Sequence, residues 1–364
     1  MSILAFTGTR PEIIKMAPII GELERRGVEF IYVHTGQHYD YEMSRRFIEE
    51  LKLPNPHVEF KLENSSPAAQ IGEIMIRIEK ALEAHRRKPG VTIVQGDTNS
   101  VLATALTSLR LGIRIGHIEA GLRSYDWRMP EEHNRRMVDH ISDYLFAPTE
   151  LNKRNLEEEK VLGQIYVTGN TVIDALETYF DKILDVETNV MSQVKFDEYV
   201  LVTFHRAENV DDPKNLKNFI EILKKTPIPV VYPIHPRTRK RLEEYGLLTT
   251  LSNLEHAQIL PPQGYFEFLA LLKNSKLVMT DSGGIQEEAT HPRIRKPVLV
   301  LRNSTERPEA VRAGFARIVG LNPSVVLAEL EKVLSHPPEL PSESPFGDGK
   351  AAERIVDAVE KEVS

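Results

Sequence analysis

The sequence predicts an α/β protein built as two doubly wound parallel-sheet domains in tandem. Three observations predict it. Short, continuous apolar runs alternate with amphipathic helical stretches, the pattern of parallel strands covered on both faces. That pattern restarts near residue 199, after a polar stretch. The chain has 364 residues, more than a single core usually organises.

The first half opens on the strand "ILAFTG" and the helix "PEIIKMAPIIGELERRG", in which Ile13, Met16, Ile20 and Leu23 fall near helical spacing. "EFIYVHTG" is the next strand, and "PAAQIGEIMIRIEKALEAHRRKPG" is a long helix. "VTIVQGD", "IRIGHIEAG" and "YLFAPT" are further strands with helices between them. A join is expected in "YVTGNTVIDALETYF", residues 166–180, followed by the polar stretch "DVETNVMSQVKFDEY". The second half runs through "YVLVTFHR", the helix "DPKNLKNFIEILKKT", "PVVYPIHP", the helix "RTRKRLEEYGLL", "HAQILPP", "YFEFLALLKNS", "KLVMTDSGG" and "KPVLVLR". The tail "GDGKAAERIVDAVEKEV" reads as a final helix.

Composition narrows the function. The formal charge is 46 − 53 = −7, which argues against a general nucleic-acid or membrane-surface role, because those partners are polyanionic. A small anionic ligand needs only a few local cations and stays open. No Cys is present, so disulfides, thiolate catalysis and Cys-ligated zinc are excluded. The start "MSILAFTGTRPE" reads as a first core strand, and no apolar stretch approaches the roughly 20 residues of a membrane helix. A cytoplasmic protein is expected.

Several strands end in chemically capable residues, where open α/β sheets bind ligands. In "TDSGGIQEEA", Gly283 and Gly284 bare the backbone at a helix start, which suits phosphate, and Ser282 can donate or cap. Glu288 follows Gly284 by about one turn and can accept both hydroxyls of a ribose. A tight strand-to-helix turn with solvated glutamates accounts for the same residues. In "FTGTRPEIIK", Gly8 closes the turn and Pro11 suits the first helical turn. Arg10 and Lys15 there can meet a diphosphate, or stand as two surface cations. Asp97 and Glu119 each sit just past an apolar strand, and Glu131 and Glu132 fall in "MPEEHNRR". Carboxylates gathered at one site can divide into acid and base. Pairing with Arg123, Arg135 or Arg136 is the alternative, and the favoured one for Glu132. These acids form no compact ligand motif, which argues against a metal. His205 ends the strand "VTFHR", His235 sits equivalently in "PIHPRT", and Arg307 in "NSTERPEA" follows the last apolar strand.

Taken together, "FTGTRPEIIKMAPI", "QGDTNS", "HIEAGLRS", "MPEEHNRR", "GNTVID", "TFHRAEN", "TDSGGIQEEA" and "RNSTERPEAV" resemble the non-hydrolysing UDP-N-acetylglucosamine 2-epimerases, in order and over nearly the whole chain. The resemblance implies a GT-B-type architecture: two Rossmann-like doubly wound domains, residues 1–170 and 171–347, facing across a cleft, with a C-terminal helix at 348–364 crossing back onto the first. It implies a homodimer with no cofactor and no metal, acting on UDP-N-acetylglucosamine, UDP-N-acetylmannosamine and UDP. It also implies chemistry at sugar carbon 2 by elimination of UDP, with 2-acetamidoglucal held until UDP adds back. By motif, Asp97, Glu119 and Glu131 resemble the essential carboxylates and His205 the essential histidine. Arg10, Lys15, Ser282, Gly283 and Gly284 would hold the diphosphate, Glu288 the ribose, and Gln263 and Phe268 in "PPQGYFEFLALL" the uracil. A Phe at 268 also suits a core, and Arg307 resembles a substrate-binding arginine.

One departure stands out. Many bacterial members carry a second, allosteric UDP-N-acetylglucosamine site, with a further Gln three residues after the Gln of "GQHYD". Here Gln37 is present, Asp40 takes the later position, and "ENSSPAAQIG" lacks an Arg near Ser66. Gln37 and His235 match that site in part. A hydrolysing 2-epimerase releasing free N-acetylmannosamine and a GT-B glycosyltransferase are the alternatives to the leading reading.

Overall fold

In the computed structural model, residues 2–35, 41–63, 66–84 and 88–361 are described. The chain forms two compact units. One comprises Met1–Thr178 and Phe346–Ser364, the other Tyr179–Pro345. The division falls inside a single helix, Thr171–Ser192, so much of the polar stretch after the expected join is helical.

The first unit holds β1 (Ile3–Thr7), β2 (Phe30–His34), β3 (Val58–Glu59), β4 (Val91–Gln95), β5 (Arg114–Ile118), β6 (Tyr144–Ala147) and β7 (Gln164–Val167). The second holds β8 (Val200–Thr203), β9 (Val230–Pro233), β10 (Ala257–Leu260), β11 (Leu277–Thr280), β12 (Val298–Val300) and β13 (Ala316–Ile318). The sheet orders are β3-β2-β1-β4-β5-β6-β7 and β10-β9-β8-β11-β12-β13, and the pairings are parallel. Both are doubly wound sheets. Each reverses strand order once, between β1 and β4 and between β8 and β11, which is where such sheets bind ligands.

The core explains why these runs are strands. Alternate residues of β1 feed opposite faces. Ile3 and Ala5 join one apolar cluster, while Leu4 and Phe6 join another. Strands buried on two faces must be apolar throughout, and β1, β4 and β8 are fully buried. Three strands without a sequence signal, β3, β7 and β13, all lie at sheet edges. An edge strand pairs on one side and stays partly exposed, so it shows no apolar run.

The final helix, Ala351–Glu360, buries Ile355, Val356 and Val359 in the cluster that contains Ile19, Ile20 and Leu23 of helix Arg10–Arg26. Arg26 fastens the two helices, with Nη1 at 2.5 Å from Asp357 and 3.0 Å from Glu360.

Candidate active site

The β1 turn is built tightly. A Cβ on Gly8 would lie 2.7 Å from Ser100 Oγ and Thr35 Oγ1, so no larger residue fits there. Glu12, one turn into the helix, is buried and accepts from Gly8 N (2.5 Å), Thr9 Oγ1 (3.1 Å) and Thr98 Oγ1 (2.7 Å). It thereby ties the end of β1 to the residue after Asp97. Burial pushes its carboxyl up to about 7, against the hydrogen bonds that hold it down. The Arg10 guanidinium lies 4.2 Å over the Phe47 ring.

Glu119 is the hub of this unit. It follows β5 with φ at 67°, a left-handed conformation that a non-glycine residue rarely adopts and that clusters at functional sites. Lys15 Nζ stands 2.5 Å from Oε1, Asn170 Nδ2 donates to the same oxygen at 2.8 Å, and Gln95 Nε2 donates to Oε2. All three partners are pure donors, so both oxygens act as acceptors, the arrangement of a carboxylate. The structure therefore places Lys15 against an acid of its own unit.

Asp97 lies just beyond β4, after Gly96 with φ at 87°. Its carboxylate pairs with Arg135, and its carbonyl accepts from Asn134 Nδ2 at 2.9 Å. Both partners belong to helix Pro130–Ile141, so the turn carrying Glu131 is brought to Asp97. Glu131 is half-buried, and among the described residues its side chain has no hydrogen bond or ion pair. Its neighbour Glu132 is fully buried and accepts from Ser124 N (2.8 Å), Ser124 Oγ (2.9 Å), Arg135 (2.9 Å) and Arg136 (3.1 Å). Burial opposes its ionisation, yet these donors hold the carboxyl below its usual range. The two adjacent glutamates thus differ: one is structural, and the other is uncommitted.

Behind them Arg123, expected as a pairing partner, joins His117, Asp139 and Glu159 in a network that has no signal in the sequence. His117 Nδ1 meets Asp139 at 2.7 Å and Nε2 meets Gly96 O at 2.8 Å. Arg123 bonds Asp139 at 2.7 Å and Glu159 at 2.6 Å. This network fixes the Gly96–Asp97 turn.

In the second unit, Asp281 organises the switch point. It is fully buried and accepts from His205 N (3.0 Å), Arg206 N (2.9 Å) and Asn209 Nδ2 (3.0 Å). His205 stacks on His235 with centroids 5.2 Å apart. Burial lowers the His205 pKa, and burial with the His205 neighbour lowers that of His235 to about 4. His205 is thus a neutral imidazole near neutral pH, fit to take or give a proton. His235 caps helix Pro236–Glu244, with its Nδ1 accepting from Arg237 N at 3.1 Å.

Ser282 precedes the short helix Gly283–Glu288 and makes no side-chain cap. A Cβ on Gly284 would meet open space, and one on Gly283 would lie 3.7 Å from the Arg307 guanidinium carbon. Arg307 is held by Glu287, so the first glutamate of the pair is structural. Glu288 is buried near the helix end. Gln263 bonds Pro261 O at 2.9 Å, and Phe268 is half-buried. Gln37 and Asp40 lie outside the described residues. Among the described residues no helix is long and apolar enough to cross a membrane.

A family model for UDP-N-acetylglucosamine 2-epimerase matches residues 21–360. The chain belongs to the UDP-N-acetylglucosamine 2-epimerase family. It is 45% identical to the UDP-N-acetylglucosamine 2-epimerase of Methanocaldococcus jannaschii, over 98% of each chain. It is 37% identical to the UDP-2,3-diacetamido-2,3-dideoxy-D-glucuronate 2-epimerase of Pseudomonas aeruginosa, over 99% of this chain and 100% of that one. Its structure is similar to that of the M. jannaschii epimerase in complex with UDP-GlcNAc and UDP, with TM-score 0.90 and 43% identity over 99% of this chain and 100% of that one. A spinosyn rhamnosyltransferase, 14% identical over 99% of this chain and 96% of that one with TM-score 0.51, shares the fold alone.

Proposed function

We propose that this member of the epimerase family is non-hydrolysing and interconverts UDP-N-acetylglucosamine and UDP-N-acetylmannosamine at sugar carbon 2. The observation that carries the reading is the division of labour among three acids at the first sheet's switch point. Glu119 and Asp97 each pair with a cation, and Glu131, on the helix that supplies Arg135 to Asp97, keeps its carboxylate uncommitted.

The proton on carbon 2 is not acidic, since no carbonyl adjoins it. A base removes it while the carbon 1–oxygen bond breaks. The electron pair forms the carbon 1–carbon 2 double bond of 2-acetamidoglucal, and the diphosphate leaves with the other pair. UDP oxygen then re-forms the bond to carbon 1 as a proton is delivered to the opposite face of carbon 2. We assign proton transfer to Glu131 and Asp97, with Glu119 and Lys15 fixing the acid cluster. The neutral imidazole of His205 serves the leaving oxygen.

On the same reading, Ser282, the bare backbone at Gly283 and Gly284, Arg307 and Arg10 receive the diphosphate, which must be stabilised as it departs. Glu288 holds the ribose, and Gln263 and Phe268 hold the uracil. The open space beside Gly284 and the uncapped Ser282 hydroxyl support this. Homodimeric assembly belongs to the same proposal, and light scattering reads it.

The 37% identical P. aeruginosa relative gives a second reading, the same reaction on a diacetamido uronate. Incubation with each UDP sugar, followed by NMR of the anomeric protons, tests both. UDP-N-acetylmannosamine from UDP-N-acetylglucosamine is expected. Free N-acetylmannosamine with UDP identifies a hydrolysing enzyme, and turnover of the uronate alone identifies the second reading.

A further inference from the structure

Asn170 lies at the start of helix Thr171–Ser192 and uses both ends of its amide. Its Oδ1 accepts from Val172 N at 3.0 Å and so caps the helix. That fixes the amide orientation and turns Nδ2 to Glu119 Oε1, at 2.8 Å in a buried setting. The residue is therefore aimed by its own cap.

The returning C-terminal segment clasps the same stretch. Asn170 N donates to Phe346 O at 2.7 Å. Arg354 Nη1 donates to Thr168 O at 2.9 Å, and Ala352 N donates to Asp174 Oδ1 at 2.7 Å. Gly169 and Gly347, with φ at 91° and 124°, let the two backbones touch, and a Cβ on Gly347 would lie 3.0 Å from Gly169 Cα. A donor fixed by its own cap and by the Phe346 bond, on a stretch clasped at Thr168, Gly169 and Asp174, has little freedom to leave its acceptor.

We propose that Asn170 is a positioning residue that aims Glu119 and stabilises its ionised form, and that the segment Phe346–Arg354 locks Asn170 in place. The inference rests on the reading of Glu119 as part of the acid cluster. It makes the end of the chain a determinant of the site's pH response, although that end supplies no group to the reacting atoms.

Two variants separate positioning from folding. Ser and Asp both cap helices well, so N170S and N170D keep the cap and lose the amide donor. N170S leaves Glu119 one donor short, and N170D sets a second carboxylate beside it. The acid limb of the kcat profile is expected to move up by about one pH unit in N170S and further in N170D, with KM changed less than about twofold. R354M, which loosens the clasp, is expected to move the limb in the same direction by less. An unmoved acid limb in both Asn170 variants, at any kcat, overturns the proposal. The carbon-13 titration of the Glu119 carboxyl, assigned by its loss in E119Q, needs no turnover. A higher midpoint in N170S than in the unsubstituted protein supports the proposal, and equal midpoints overturn it. If the protein does not turn over UDP-N-acetylglucosamine, the functional reading fails while this titration still decides the role of Asn170.

Discussion

Lys15 Nζ stands 2.5 Å from Glu119 Oε1, and both side chains are buried. The pair joins the first turns of helix Arg10–Arg26 to the end of β5. A buried pair of this kind contributes little net stability, yet removing one partner strands the other charge. K15M is therefore expected to lose about 3–5 kcal/mol. The double variant K15M/E119Q is expected to recover much of that loss, because no charge is left unpaired. Urea unfolding of the four proteins checks this, and simple additivity of the two single effects would contradict it.

Asp281 orients His205 through two backbone N–H groups. An amide at this position presents one acceptor oxygen where the carboxylate presents two, and turns its NH2 toward a backbone donor. D281N is expected to cost about 2 kcal/mol of stability and to lower kcat at least tenfold. Thermal unfolding and steady-state rates read the two effects. Unchanged turnover would remove His205 from the proposed chemistry.

Glu12 gives stability a pH dependence. Its carboxyl has an ordinary value of 4.5 and is pushed up to about 7 by burial. Below that window the group is protonated in both the folded and the unfolded chain. Within it, the folded protein holds a proton that the unfolded chain has released, so stability falls as pH rises. The accumulated loss is about 3 kcal/mol once the folded group has ionised. Asp174, raised to about 6 by burial, acts in the same direction at slightly lower pH. In E12Q the amide oxygen can face Gly8 N while its NH2 faces the Thr9 and Thr98 hydroxyls. E12Q is expected to gain on the unsubstituted protein in melting temperature between about pH 5 and about pH 8. A constant difference across that range would contradict the assignment.

Phe268 is half-buried, so part of its ring is open to a base. F268A is expected to cost no more than about 1–2 kcal/mol of stability, against about 3–5 for a core Phe. The UDP affinity, measured by calorimetry, is expected to fall about tenfold through the lost stacking. A large stability loss with unchanged affinity would return Phe268 to a structural role.

What the sequence reveals follows from how each residue works. Interior strands such as β1, β4 and β8 are buried on two faces and show as unbroken apolar runs, so both sheets are legible. Edge strands such as β7 are not, because half-exposure breaks the run. Residues that end strands in polar motifs, such as Asp97, Glu119 and His205, are legible as candidates because nothing in the core requires a charge there. Gln95, Asn170 and Asp281 are harder to see. Each acts by a hydrogen bond to a residue distant in sequence, which leaves no periodic trace. Asn170 is further disguised, since a helix cap alone accounts for it. The opposite fates of Glu131 and Glu132 depend on which face of one turn meets Ser124 and Arg135.

In the proposed chemistry the carbon 2–hydrogen bond breaks reversibly while UDP is eliminated and returned. Incubation with UDP-N-acetylglucosamine in deuterated water, followed by proton NMR, tests it most directly. Deuterium is expected at carbon 2 of both UDP-N-acetylglucosamine and UDP-N-acetylmannosamine, with wash-in abolished in E131Q. Interconversion without deuterium at carbon 2, or release of free N-acetylmannosamine with no deuterium in recovered UDP-N-acetylglucosamine, would contradict it.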